Sequence, residues 1–288
     1  GQHLRCEAAL ALPVWFGACL LRWHDGIFNT VMSAMASQSL RNQLEPDGLL
    51  LQFTQHPPEG FTLLNHGPAP AFTAPFDLLT TADDALKARL LSLPGGPWLH
   101  SKLTLQTDFI GTTVSEYALL PQGVTASTLA QQLRAMAGRT LLTIVKDLPQ
   151  TSSLLSENEN RFSREVTQAL SKQGFIALEG QALAYVPITF ASLNAYLAGL
   201  SKNRRSSLKR KLKSRDRLTI ERIPTGAAFA DEARVDTYYT LFDAVYAQSE
   251  IHFDKLTRAF FANLLRNGDN GGIVFEYRDL ESRALLGW

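Results

Sequence analysis

Cysteine is almost missing from this chain: Cys6 and Cys19 are the only two in 288 residues. Both lie near the start, too few and too local for a disulfide framework or a thiolate metal site, so a reducing, cytoplasmic setting is expected. The histidines, at 3, 24, 56, 66, 100 and 252, have none of the paired spacings that ligation on a helix or hairpin needs, and no metal is expected. Long apolar runs are missing too. The longest uncharged one, residues 8–21, falls short of the roughly 20 residues that cross a bilayer and is interrupted by Pro13 and Gly17. Arg5 and Glu7 before it, and Arg22, Trp23, His24 and Asp25 after it, fit neither end of a signal peptide, so it reads as a buried element. Hydrophobic content of 45% with only 19% charged residues excludes a disordered chain, and the length suits two ordinary domains.

What the chain does have is one concentration of charge. Residues 202–217, KNRRSSLKRKLKSRDR, hold nine Lys and Arg against the single acid Asp216. Subtracting this +8 from a chain charge of +1 leaves −7 elsewhere. Leu193, Leu197, Leu200, Leu208 and Leu212 recur at helical spacings with Arg204 in the gap, which predicts one amphipathic helix over about 192–215 and an Arg204 turned partly inward. The run contains no aromatic side chain on which a base could stack and no Trp or Phe for a membrane surface. That leaves a solvated face, or a seat for a compact anionic ligand, ahead of nucleic acid.

Prolines break up the first hundred residues, leaving short candidates such as 48–54 and one helix at 82–91. From residue 109 the pattern becomes regular: a strand at 109–120, a helix at 125–137, a strand at 140–147, a helix at 159–173 and a strand at 175–179. Gly138 and Gly174 close the two helices. Beyond the basic helix a second series follows, with a strand at 218–223, helices at 230–248 and 255–266, a strand at 273–278 and the start of a hairpin at 284–288. Strands alternating with helices indicate an α/β (α+β) fold. The expected domains are 1–190, a linking helix 191–217, and 218–288. The hydrophobic end Leu285-Leu286-Gly287-Trp288 reads as a cut through a longer protein.

The second series resembles the first half of a GNAT acyltransferase domain, and residues 109–190 resemble the second half of another. Tyr196-Leu197-Ala198-Gly199-Leu200-Ser201-Lys202-Asn203-Arg204-Arg205, continuing into Leu208-Lys209-Arg210-Lys211, is similar to the leucine, serine and basic-helix signature of the tandem, Fem-type acyltransferases associated with peptidoglycan. The segments 111–117, 145–149 and 246–254 also resemble parts of bacterial GNAT proteins. The resemblance covers about residues 75–288. It implies tandem GNAT-like domains, the second incomplete, and an N-acyltransferase that moves an acyl group from acyl-CoA or a related donor to an amine of a small-molecule or cell-envelope acceptor. A non-catalytic scaffold, or an anionic-polymer or nucleic-acid module built on 202–217, is the alternative.

In that family a Gln/Arg-x-x-Gly-x-Gly/Ala loop holds the donor's pyrophosphate at a helix N-terminus. Here the corresponding stretch, Leu120-Pro121-Gln122-Gly123-Val124-Thr125, lacks the second glycine, and the second domain's loop falls beyond Trp288. Residues 1–288 alone are therefore expected to bind acyl-CoA no tighter than about millimolar. The acceptor side is where the resemblance leaves candidates. Residues 246–254 join two helices and concentrate Tyr246, Ser249, Glu250, His252 and Asp254, with Glu250 or His252 as the expected proton acceptor. A polar loop and helix caps account equally for those residue types. Glu116 and Tyr117, and Lys146 and Asp147, near the ends of predicted strands, are further binding candidates, as are Arg204 and Arg205.

Overall fold

The computed structural model describes residues 6–11, 40–79, 88–89, 91–180, 183–249 and 252–288. Its contacts divide the chain into two units, Gly1–Leu183 with Ser249–Phe260, and Ala184–Gln248 with Phe261–Trp288. The predicted boundary at 190 thus lies inside the second unit, and residues 249–260 return to the first.

The first unit runs β1 (Cys6–Ala11), β2 (Leu40–Arg41), α1 (Asp47–Gln55), β3 (Thr62–Leu63), β4 (Ala71–Asp77), α2 (Gly96–Leu103), β5 (Thr104–Ile110), β6 (Leu120–Pro121), α3 (Ala126–Met136), β7 (Leu142–Pro149), α4 (Glu157–Ser171) and β8 (Ile176–Glu179). A six-stranded sheet takes the order β3-β4-β5-β7-β1-β8. β5 and β7 are parallel and the other neighbours antiparallel, so the fold is mixed α/β with a mostly antiparallel sheet. Register assigns the two faces. Ala71, Ile110 and Val145 lie side by side under Leu129 and Leu133 of α3 and Val166 and Leu170 of α4, all buried. Each buried Val, Leu or Ile there contributes about 1.5–3 kcal/mol by leaving water. On the opposite face Phe72 and Phe109 stack at 5.0 Å, Phe61 lies 4.4 Å over Phe72, and Phe253 comes within 5.3 Å of both Phe61 and Phe109.

Local chemistry explains the helix ends. Ser156 accepts from the Glu159 backbone while the Glu159 carboxylate accepts from Ser156, a reciprocal cap at the start of α4. Gly174, with φ of +90°, ends the same helix, as expected. The expected strand at 109–120 stops at Ile110, because Gly111 turns to φ +138° and a loop follows. Residues 48–54 are helical, with Gln52 and Phe53 buried. Of the buried element expected at 8–21, the first residues form β1 at the interior of the sheet, while the rest, and most of the 82–91 helix, lie outside the described residues.

The second unit holds α5 (Leu193–Gly199), α6 (Lys202–Leu212), a 3₁₀ turn Lys213–Arg217, β9 (Leu218–Pro224), α7 (Glu232–Gln248), α8 (Arg258–Arg266, its first turn counted with the first unit), β10 (Ile273–Asp279) and β11 (Leu285–Gly287). The three strands form an antiparallel sheet in the order β11-β10-β9. The single helix expected over 192–215 is broken. Leu200 is extended at ψ 154° and Ser201 restarts the chain as a new N-cap. Leu197 is buried and Leu193 exposed, and α6 buries no residue. Arg204 is exposed, contrary to expectation. Its neighbour Arg205 turns back instead and donates from Nη2 to the carbonyls of Ala198 at 3.1 Å and Leu200 at 2.8 Å, which α5 leaves unpaired at its end.

Candidate functional site

Strand β7 carries an irregularity that sets up the site. Opposite it, β1 advances from Glu7 to Ala9 while β7 goes from Leu148 to Val145, so Lys146 and Asp147 together face one residue of β1. This is a β-bulge, and Asp147 at its centre adopts φ +53°, a left-handed conformation uncommon outside glycine. The bulge bends the strand and lets Lys146 Nζ reach its own neighbour, 2.8 Å from Asp147 Oδ2. Gly111, at the end of β5, makes room for Lys146, since a Cβ there would come within 3.1 Å of the Lys146 Cβ.

The loop after Gly111 is self-bonded. Thr112 Oγ1 accepts from the backbone of Val114 and Ser115, and Ser115 Oγ donates to the Tyr117 carbonyl at 2.9 Å. Asp147 contributes too, its carbonyl accepting from Ala118 N at 3.0 Å. The effect is to hold Glu116 beside the bulge. Burial raises the Glu116 carboxyl above the ordinary range, and the charges of Asp147 and Glu45 push it further, against a smaller opposing effect of Lys146. Glu45 is also bonded to this loop, its Oε1 accepting from Glu116 N at 2.7 Å.

Asp254 joins the same charges from the far end of the chain. It follows Phe253, whose ring packs on Phe61 and Phe109 and so fixes the segment against the sheet. Burial raises its carboxyl, although its own backbone N–H, the charge of Lys146 and the Thr113 hydroxyl act in the opposite direction. The arrangement is one lysine among four carboxyl groups, Glu45, Glu116, Asp147 and Asp254, of which Glu116 and Asp254 keep their protons to higher pH than an exposed acid. Such perturbed groups, fixed by backbone bonds at a strand bulge, are suited to moving a proton.

The structure thus brings together Glu116, Lys146, Asp147 and Asp254. Tyr117 is turned away, buried with its hydroxyl 2.8 Å from Ser152 Oγ. His252 is exposed on the segment that carries Asp254, Ser249 is exposed at its start, and Glu250 lies outside the described residues. Tyr246 is half-buried on α7 of the second unit, its ring 6.1 Å from Phe242, and Arg204 and Arg205 belong to that unit also. Among the described residues no group of three or more His, Cys, Asp or Glu side chains is placed to hold a metal ion, and none of their helices is long and apolar enough to cross a membrane.

Two features escaped the sequence reading. Glu45 had no local signal, because the residue it serves is 71 positions away. Glu276 had one: it is the only acid among Ile273, Val274, Phe275 and Tyr277. It is fully buried, accepts from the Tyr238 hydroxyl and from Arg278 Nε at 2.8 Å, and lies 3.6 Å from Arg234. Burial is the largest influence on it and raises its carboxyl, but the Tyr238 and Arg278 hydrogen bonds and the two arginine charges together outweigh that and keep it below the ordinary value. In return, burial and the glutamate push the Tyr238 hydroxyl well above the usual phenol range. With Glu276 and Tyr238 buried and the two arginines half-buried over them, this network ties β10 to α7 within the second unit.

A family model named FemAB-like and described as peptidoglycan biosynthesis/recognition matches residues 122–280, more than half of the chain. The matched stretch contains Lys146, Asp147 and Asp254. No curated protein and no solved structure matches.

Proposed function

This chain belongs to the FemAB-like family of peptidoglycan biosynthesis and recognition, a family of peptidoglycan-related transferases, and from that premise we propose that it is an N-acyltransferase whose proton-accepting site is the bulge cluster of the first unit. The observation that carries the reading is the pair of proton-retaining carboxyl groups, Glu116 and Asp254, set around Lys146 and Asp147. In the proposed step the acceptor's amine attacks the carbonyl carbon of an activated acyl group. The C–N bond forms, the bond to the donor breaks, and the N–H proton passes to Glu116. A base that holds its proton more tightly than an ordinary carboxylate takes it more readily from the attacking amine. Asp254, charged in the active state, accepts a hydrogen bond from the incoming neutral amine and so orients its lone pair, and Lys146 limits the repulsion between the acids. His252, exposed on the same segment, passes the proton on to solvent.

The donor in this reading is acyl-CoA or a related thioester, and the acceptor is an amine of a cell-envelope precursor. A tandem GNAT-like arrangement goes with it, as does a cytoplasmic location, where the donor's thiol and the two cysteines stay reduced. The exposed cations of α6 suit a compact phosphate or carboxylate. The test is thiol release by the whole protein, measured with a thiol reagent over a panel of acyl-CoA thioesters and a stem peptide carrying a free side-chain amine. Release that requires the peptide is the expected result. Absence of amine-dependent release with every donor in the panel would remove the acyl-CoA reading.

A further inference from the structure

The segment between β2 and α1 runs beside the site loop and is tied to it at successive points. Leu40 and Arg41 pair with Pro121 and Leu120 as two short strands. Next, Asn42, buried and left-handed at φ +65°, donates from Nδ2 to the Ala118 carbonyl at 3.0 Å and to Ser163 Oγ at 3.3 Å. Finally Glu45 Oε1 accepts from Glu116 N at 2.7 Å, while its Oε2 accepts from Leu44 N at 3.2 Å. A carboxylate spent on a backbone N–H so close to another carboxylate is a costly choice for structure alone, because a neutral acceptor would hold the loop without repulsion.

We propose that Glu45 is a positioning residue for the transfer reaction: it fixes the loop that carries Glu116 and places a second negative charge beside that carboxyl. The proposal rests on Glu116 as the proton acceptor. The charged groups facing Glu116 are Asp147 and Lys146 of β7 and Glu45 itself. Of these, Glu45 alone combines charge with a bond to the Glu116 backbone. Removing its charge while keeping its oxygen therefore separates the two effects.

The experiment is Glu45→Gln in the whole protein, with the Glu116 carboxyl followed by ¹³C NMR across pH and turnover measured over the same range. Glu45→Gln keeps an acceptor for Glu116 N, so the loop stays in place. Its Glu116 titration and the acid limb of kcat should both move to lower pH, by about half a unit or more, the displacement expected of one nearby like charge. Glu45→Ala, which also loses the backbone bond, should lower kcat further at every pH, and Glu45→Gln should recover that part. An unmoved Glu116 titration in Glu45→Gln overturns the proposal. So does equal behaviour of the Gln and Ala variants. If the titration moves but Glu116→Gln leaves turnover intact, the reading of Glu116 as the base fails while the coupling of Glu45 to it stands.

Discussion

Glu116→Gln should lower turnover by about 10²-fold or more, the usual contribution of a positioned general base, with KM changed much less. Glutamine keeps the size of the side chain and leaves the backbone bonds of the loop in place, so the loss falls on proton removal. In the parent the base works only when ionised. Because its carboxyl is raised by burial and by Asp147 and Glu45, the rate should climb with pH through a midpoint above that of an ordinary glutamate, and the variant should lack that limb. Stability separates this from unfolding. A carboxyl raised in the folded state contributes stability that is fully present below the unfolded-state value and is lost as pH rises through the folded one. At neutral pH, Glu116→Gln and Asp254→Asn should therefore melt no lower than the parent. A low turnover accompanied by a depressed Tm would assign the residue to structure instead.

The largest loss of stability is expected at Glu276. Its side chain is buried to 0% exposure, with Tyr238, Arg278 and Arg234 all directed at it. Glu276→Ala removes the acceptor, leaving the buried Tyr238 hydroxyl unsatisfied and the half-buried Arg234 and Arg278 without their counterion, which costs about 1–3 kcal/mol. Glu276→Gln keeps an acceptor oxygen and should cost less. The sign of the pH effect is opposite to that at Glu116. Glu276 is held below the ordinary carboxyl range, so its contribution is present above the unfolded-state value and lost as pH falls through the folded one. Urea unfolding of the parent and variant at neutral pH and near pH 4 tests both points: the gap between them should narrow in acid. A loss below about 1 kcal/mol at neutral pH would mean the arginines find other partners.

Much of the regular structure was legible because local chemistry and long-range packing agree. Helix α4 begins at a reciprocal Ser156–Glu159 cap and ends before a left-handed Gly174, and β7, β9 and β10 are runs rich in β-branched and aromatic residues. The errors arose where one local signal spoke for too long a stretch. The leucine seam of 192–215 looked continuous, but Ser201 is as good a start as any residue within it, and the chain extends at Leu200 before the second helix begins. Glycine at 111 ended a strand that the apolar pattern carried onward.

The site was readable as residues and not as a place. Glu116, Lys146 and Asp147 stood out as polar groups near strand ends, and Asp254 as part of a polar connection. Their convergence depends on a left-handed aspartate inside a strand and on Phe253 anchoring its segment across the sheet from Phe109. Neither has a local signature, since a bulge is defined only against the partner strand. Arg205 differs from Arg204 in the same way: spacing assigned the gap in the seam to Arg204, whereas the break at Leu200 turns Arg205 toward the carbonyls.

Glu116 and Asp254 both feel the charge of Lys146 and share one electrostatic environment. The most direct measurement is the ¹³C titration of both side-chain carboxyls in the parent protein, assigned with Glu116→Gln and Asp254→Asn. Both midpoints should lie above those of unperturbed groups, about 4.3 for Glu and 3.9 for Asp, and Asp254 should move further upward in Lys146→Met, which removes the opposing cation. Midpoints at or below the unperturbed values, with no response to Lys146→Met, would contradict the account.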